Sequence, residues 1–168
     1  MGQLTAQRIK DGLLNLLGRL DSTDELLLSK QLMRKTVSAH VTDGGTAGTA
    51  QTETFAWQNN TGGNVRVISA NAIAPIAVTA NGSNYASFLL YKRTSAGASQ
   101  ATIATFATDT VTTDDMVAFA PKAMTLTVAN VVVPDGYVVT VAVTKTGTGV
   151  ALAAATSQAR IEFVVEPE

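Results

Sequence analysis

The sequence contains no cysteine and a single histidine, His40, among its 168 residues. A disulfide, an iron–sulfur cluster, a thiol nucleophile or a cysteine-ligated zinc site therefore cannot form within this chain. One histidine likewise cannot supply a histidine-cluster metal centre. Charged residues make up only 15% of the chain and aromatic residues 5%, whereas soluble domains usually contain about 25% charged residues. These absences exclude much enzyme chemistry, so the function has to be inferred mainly from architecture.

Long apolar runs are also missing. The longest nearly apolar stretches, around residues 137–143 and 150–155, are far shorter than the roughly 20 residues of a membrane-spanning helix. The first residues lack the basic region of a secretory signal. The net charge is −1 and the isoelectric point is about 5.8, so no overall positive field attracts the chain to nucleic acid. We therefore expect a soluble chain that binds neither membranes nor nucleic acid.

Charge is unevenly distributed along the chain. Residues 1–35 contain six of the twelve Lys and Arg residues and four of the thirteen Asp and Glu residues. The other residues are sparsely charged and rich in Ala, Thr and Val. This shift in composition predicts a boundary near Lys35, with an N-terminal helical arm over residues 1–35 and a β-sandwich domain over residues 36–168.

The arm has apolar residues at helical spacing. Five of them form one stripe, which we call the arm stripe: Ile9, Leu13, Leu16, Leu17 and Leu20. A capping-box sequence at residues 22–25 predicts a second helix over about residues 23–34. The stripe can pack on the domain's own core or dock in a groove on another protein. We favour the partner, because two short helices before an all-strand body have no obvious internal sheet to cover.

From residue 36 onward the apolar pattern has the two-residue period of β-strands. Phe55 and Trp57, for example, are expected on the face opposite Ala56. Turn dipeptides such as Asn81-Gly82 and Asp135-Gly136 separate the strands. Because no helical stretch intervenes, the pattern predicts a mainly β, antiparallel sandwich of jelly-roll type. The predicted strands are residues 37–42, 54–58, 65–68, 73–79, 85–93, 101–107, 124–128, 137–144 and 160–165.

Residues with catalytic potential form no recognisable constellation. His40 lies in a predicted strand, which favours a structural role over a general base. The glycine-rich residues 44–48 lack the lysine of a phosphate-binding loop. Asp109, Asp114 and Asp115 offer the oxygen ligands that calcium prefers, but adjacent aspartates in a threonine-rich loop are usually solvated. We expect no catalytic, cofactor or metal site, and no enzyme activity.

Several segments resemble the small β-sandwich proteins of tailed-phage virions. They are residues 55–67, residues 133–141, the glycine-rich loop of residues 145–149 and the closing strand at residues 159–165. Together with the predicted arm, the chain resembles a phage head decoration, or cement, protein. The resemblance implies a virion protein on the outside of the capsid, made in the host cytoplasm. It also implies binding to the major capsid protein as a homotrimer, which stabilises the shell.

The composition of the body agrees with self-association. A surface of small residues with few charges suits packing against further copies, and closed symmetry is the usual way to cover such a surface. The alternative is a head-fibre, tail or receptor/glycan-binding module of the same sandwich type. Glycan-binding modules should cluster aromatic residues in loops, whereas Trp57 and the tyrosines fall in predicted strands.

Overall fold

The computed structural model describes residues 33–41, 53–147 and 159–168. Within these ranges the chain forms ten strands and one 3-10 turn, Val128–Asn130. The strands are β1 Lys35–His40, β2 Thr54–Gln58, β3 Val65–Ile73, β4 Tyr85–Arg93, β5 Ala101–Ala107, β6 Lys122–Ala123, β7 Thr125–Leu126, β8 Val132–Val133, β9 Val138–Thr146 and β10 Arg160–Pro167. The predicted mainly β structure is confirmed.

The strands form two antiparallel sheets. The first sheet has the order β1-β10-β3, with β6 and β8 both paired to β3, and the second has the order β2-β9-β4-β5-β7. The pairs are nested along the chain: β1 with β10, β2 with β9, β3 with β6 and β8, and β4 with β5. This nested order is the strand order of a jelly roll. The pairing of β1 with β10 joins the first described strand to the last one.

One apolar core lies between the two sheets. Its largest fully buried side chains alternate along the strands as the two-residue period requires. They include Phe88 and Leu90 on β4, Val139, Val141 and Val143 on β9, and Ile161 and Phe163 on β10. Phe88 and Phe106 face each other across the β4–β5 pair with ring centroids 6.3 Å apart.

Three β-bulges interrupt the alternation. The register skips Ala56 in β2, Ile68 in β3 and Ile103 in β5. At a bulge one strand contains an extra residue. Beyond it, the residues that face the core change from odd-numbered to even-numbered positions, or the reverse. Ala56 and Trp57 consequently both pack against the core, while Phe55 is exposed. The expectation that Phe55 and Trp57 share the face opposite Ala56 is therefore wrong.

Five of the described connections lie at two ends of the sandwich. The turn end contains residues 59–64, 94–100 and 134–137, and the loop end contains residues 74–84 and 108–121. At the turn end, the fully buried Asn59 side chain donates from Nδ2 to the carbonyl oxygens of Gly63 and Val133, at 2.8 and 2.9 Å. This amide fastens the turn after β2 to the turn before β9.

The predicted arm lies almost wholly outside the described residues. Met33 is part of a turn and Arg34 has no regular structure, so the helix predicted to reach Arg34 does not extend over these two residues. Lys35 pairs with Val165 as the first residue of β1. The strand therefore begins one residue before the predicted domain boundary, because the ladder with β10 reaches that far.

Other predicted strand limits also change. Residues 65–68 are part of a longer strand ending at Ile73, and residues 74–79 contain only an isolated bridge, Val78 with Met116. Pro75 has no N–H to continue the ladder. The strand predicted over residues 124–128 is reduced to β7, since the 3-10 turn begins at Val128. The two-residue strands β6 and β8 were not predicted, because they are too short to show a period.

Candidate docking surface

Three of five consecutive apolar residues are exposed at the loop end, and the two alanines between them are half-buried. We call residues 117–121 the apolar loop: Val117, Ala118, Phe119, Ala120 and Pro121. Val117 is 69% exposed and Phe119 72% exposed, and none of the five is buried. Single exposed apolar side chains are ordinary, whereas several exposed apolar side chains within five residues are typical of a site that contacts another molecule.

The body holds the base of this loop by backbone hydrogen bonds. Met116 is buried, and its N–H and carbonyl both bond to Val78 at 2.9 Å. The Phe119 N–H donates to the carbonyl oxygen of Ala74 at 2.8 Å. The loop is therefore positioned by the β3–β4 connection, with Val117 and Phe119 exposed.

Phe119 has an unusual backbone conformation for its residue type. Its φ is +62°, in the left-handed region that residues with large side chains rarely adopt. Such a conformation costs about 1–3 kcal/mol, and it is retained where the surrounding structure enforces it. Leaving a phenylalanine side chain exposed forgoes about 1.5–3 kcal/mol of burial. Burial of Phe119 against a partner would recover that second contribution.

The aspartates near the apolar loop use their oxygens to fix loop geometry. Asp115 Oδ1 accepts from the Ala80 N–H at 2.7 Å, and Asp114 Oδ2 accepts from the Thr110 N–H at 3.2 Å. Lys122 Nζ donates to the carbonyl oxygen of Thr113 at 2.6 Å. Among the described residues, no group of three or more His, Asp or Glu side chains could hold a metal ion.

A second candidate is an open groove of about 470 Å³ beside the edge strand β2, lined by Lys35, Phe55, Ala56, Trp57, Gln58, Asn60 and Thr61. Lys35 Nζ lies 5.7 Å from the Trp57 ring centroid, and the same ring packs against the core. The indole therefore closes the side of the sandwich between the edge strands β1 and β2. A sugar ring stacking on Trp57 would have to displace Lys35, so this groove does not favour glycan binding.

A polar cluster lies on the second sheet near the turn end. Glu53 accepts hydrogen bonds from Arg93, from Gln100 Nε2 at 2.6 Å and from Thr140 Oγ1 at 2.7 Å. The Arg93 guanidinium is the main cause that holds the pKa of the Glu53 carboxyl below its ordinary value of 4.5. The cluster anchors the residue at which the chain enters β2.

Replacing Glu53 should make the free energy of unfolding less dependent on pH in the acid range. Since folding lowers the Glu53 pKa, the ionised carboxylate stabilises the native state above pH 4.5, and this contribution disappears as the pH falls through the lowered value. In urea titrations from pH 7 to pH 3, Glu53→Gln should be less stable than wild type by a constant amount down to about pH 4.5. Below that pH the difference should shrink.

The matched control for this titration is Gln100→Ala, which removes a neutral donor to the same carboxylate. Its loss of stability should vary much less with pH. If the free energies of unfolding of wild type and Glu53→Gln differ by the same amount at pH 3 as at pH 7, the Glu53 charge does not stabilise the fold.

The other sequence-predicted positions do not converge on a site. Ile9, Leu13, Leu16, Leu17 and Leu20 lie outside the described residues, so the arm stripe stays a prediction. His40 is exposed on β1, opposite Arg160 of β10. The apolar loop was missed; its sequence signal is a run of six apolar residues, 116–121, between Asp115 and Lys122, in a segment without a predicted strand.

Comparison with known proteins yields little. No family model and no curated protein matches the chain. One solved structure, described as the structure of infectious bursal disease virus Gt strain, is 11% identical with a TM-score of 0.32. The match covers 80% of this chain and 32% of that one, so this chain spans about a third of its length. A likeness at this level does not establish a common fold, and nothing about the function of this chain follows from it.

Among the described residues, no helix has the length and apolar character to cross a membrane.

Proposed function

We propose that this chain is a structural virion protein that binds the outside of a phage capsid and stabilises the shell. The observation that supports this most is the apolar loop, which backbone hydrogen bonds to the β3–β4 connection hold in place with Val117 and Phe119 exposed. A surface of this kind suits attachment to another protein. The sequence resemblance to head decoration proteins and the low charge of the body favour the same role.

The proposal includes the partners expected from the sequence. The arm stripe of Ile9, Leu13, Leu16, Leu17 and Leu20 docks on the major capsid protein, and the body associates as a homotrimer on the capsid surface. No catalytic step or cofactor is part of this function. The groove beside Trp57 gives no specific support to the alternative of a receptor or glycan-binding module, because the Trp57 ring packs against the core and has the Lys35 ammonium 5.7 Å from its centroid.

Co-sedimentation with capsid shells tests the function. Full-length protein is mixed at tens of micromolar with shells purified without it, and the pelleted fraction and the disruption temperature of the shells are measured. We expect saturable binding and a higher disruption temperature. Leu13→Asp/Leu17→Asp should reduce binding, because two charges would enter an apolar groove. Shells that neither pellet the wild-type protein nor gain thermal stability would contradict the proposed function.

A further inference from the structure

The turn before β4 contains the only Asn-Gly pair in the sequence, Asn81-Gly82. Both residues are exposed, so water reaches them. The body nevertheless fixes this turn, because the Asn81 N–H donates to the carbonyl oxygen of Thr108 at 3.0 Å. An asparagine can lose its side-chain amide when the next backbone nitrogen attacks it. Glycine leaves that nitrogen unhindered, because it has no side chain.

Two backbone donors hold the amide oxygen of Asn81. The Ser83 N–H and the Asn84 N–H each donate to Asn81 Oδ1 at 2.9 Å. An oxyanion hole has the same arrangement, in which fixed N–H groups stabilise negative charge as it forms on a carbonyl oxygen. Within the described ranges, the Gly82 N–H donates to no acceptor. The turn therefore polarises the amide and leaves the neighbouring nitrogen available.

We propose that Asn81 is a site of self-catalysed deamidation, independent of any binding to a shell. The Gly82 nitrogen loses its proton to a solvent base and bonds to Asn81 Cγ, while the C=O electron pair moves onto Oδ1 between the two donors. The bond from Cγ to Nδ2 then breaks as Nδ2 takes a proton from solvent. Ammonia leaves, and a cyclic imide remains. Water opens that ring at either carbonyl group and gives aspartate or isoaspartate, so water is the only co-reactant.

The two products should affect the body differently. An aspartate oxygen can accept from the same two donors as the amide oxygen does, so the turn is retained. In isoaspartate the main chain runs through Cγ, and the side-chain acceptor is lost. The same turn lies against Gly147 at the end of β9, where an added methyl group would overlap the Ser83 carbonyl oxygen. Isoaspartate should therefore loosen this contact and lower the melting temperature below that of Asn81→Asp.

Incubation of the full-length protein at mildly alkaline pH tests the site. Peptide mapping by mass spectrometry follows the replacement of the Asn81 NH₂ group by OH, and the same chain unfolded in urea is the reference. The folded protein should react at Asn81 at least about threefold faster than the unfolded chain, because only the fold holds both donors in place. A folded rate equal to or below the unfolded rate would overturn the proposal, since the turn would then give the amide no activation.

Gly82→Ala is the matched variant. Its methyl group would lie 3.7 Å from the Asp109 carbonyl oxygen, an ordinary contact, and Gly82 does not have a positive φ, so the melting temperature should change little. The methyl group hinders the attacking nitrogen, and the reaction at Asn81 should slow at least about tenfold. Gly63→Ala places the same group where nothing lies within 4 Å, and it should react as wild type.

Two further outcomes decide the chemistry. If Gly82→Ala keeps the wild-type rate, the Gly82 nitrogen is not the nucleophile and the proposal fails. Attack by that nitrogen requires isoaspartate among the products, because the cyclic imide opens at both carbonyl groups. Aspartate alone at position 81 would show direct hydrolysis by water and would also overturn the proposal.

Discussion

Val141→Asp should leave the body without a cooperative folded state. Val141 is fully buried on β9, which has β2 on one side and β4 on the other. An unpaired carboxylate at this position would be surrounded by the core residues of both sheets. Burying such a charge costs several kcal/mol, a large part of the roughly 5–15 kcal/mol that stabilises a typical domain. Thermal scans followed by circular dichroism should show no sharp transition.

The matched control is Val128→Asp, at a valine that is 82% exposed in the 3-10 turn. It should change the free energy of unfolding by less than about 0.5 kcal/mol, as most surface substitutions do. If Val141→Asp melts within a few degrees of wild type, Val141 does not lie between two packed sheets and the core is wrongly placed.

Gly147→Ala should destabilise the protein much more than Gly62→Ala. Both glycines have positive φ, +69° at Gly147 and +81° at Gly62, so alanine brings about 1–2 kcal/mol of backbone strain at either position. Only at Gly147 would the added methyl group overlap neighbouring atoms, namely the Ser83 carbonyl oxygen and the Asn84 amide. At Gly62 nothing lies within 4 Å of it.

The overlap at Gly147 forces the turn after Asn81 to move. Overpacking of this kind usually costs about 1–3 kcal/mol in addition to the strain. We expect Gly147→Ala to lower the free energy of unfolding by roughly 2–5 kcal/mol in total and Gly62→Ala by about 1–2 kcal/mol, measured by urea denaturation. Equal effects at the two positions would show that the end of β9 does not pack against the Ser83–Asn84 turn.

Strands with an unbroken pattern could be predicted from the sequence. The limits of β4 and β5, at Tyr85–Arg93 and Ala101–Ala107, agree with the prediction, because alternating residues are bounded by turn-forming segments. The longer β3 was missed in part, since the bulge at Ile68 changes which residues face the core. Neighbouring positions then no longer alternate, and local periodicity divides one strand into two.

The arrangement of the strands depends on distant pairs. The ladder between β1 and β10 joins Lys35 to Val165, and no local feature of either segment specifies the other. Composition and turn spacing were enough to predict a jelly-roll-like sandwich, but the pairing of both β6 and β8 with β3 was visible only in the structure.

The docking surface was missed for a different reason. In the β5–β6 connection the sequence analysis considered only Asp109, Asp114 and Asp115, as possible calcium ligands, and interpreted them as solvated loop residues. The structure shows that Asp114 and Asp115 brace the loop, while Phe119 is the exposed feature. Exposure of an apolar run cannot be read from its composition, since the same run could have been buried in a strand.

The most direct test of the structural role is a subnanometre map of shells before and after addition of the full-length protein. Binding through the apolar loop predicts new two-layered density on the outer surface at symmetry-related positions, with residues 108–121 at the end of the sandwich that contacts the shell. An unchanged outer surface at saturating protein would contradict the structural virion role. Density whose turn end, at residues 59–64 and 134–137, faces the shell would contradict the docking surface.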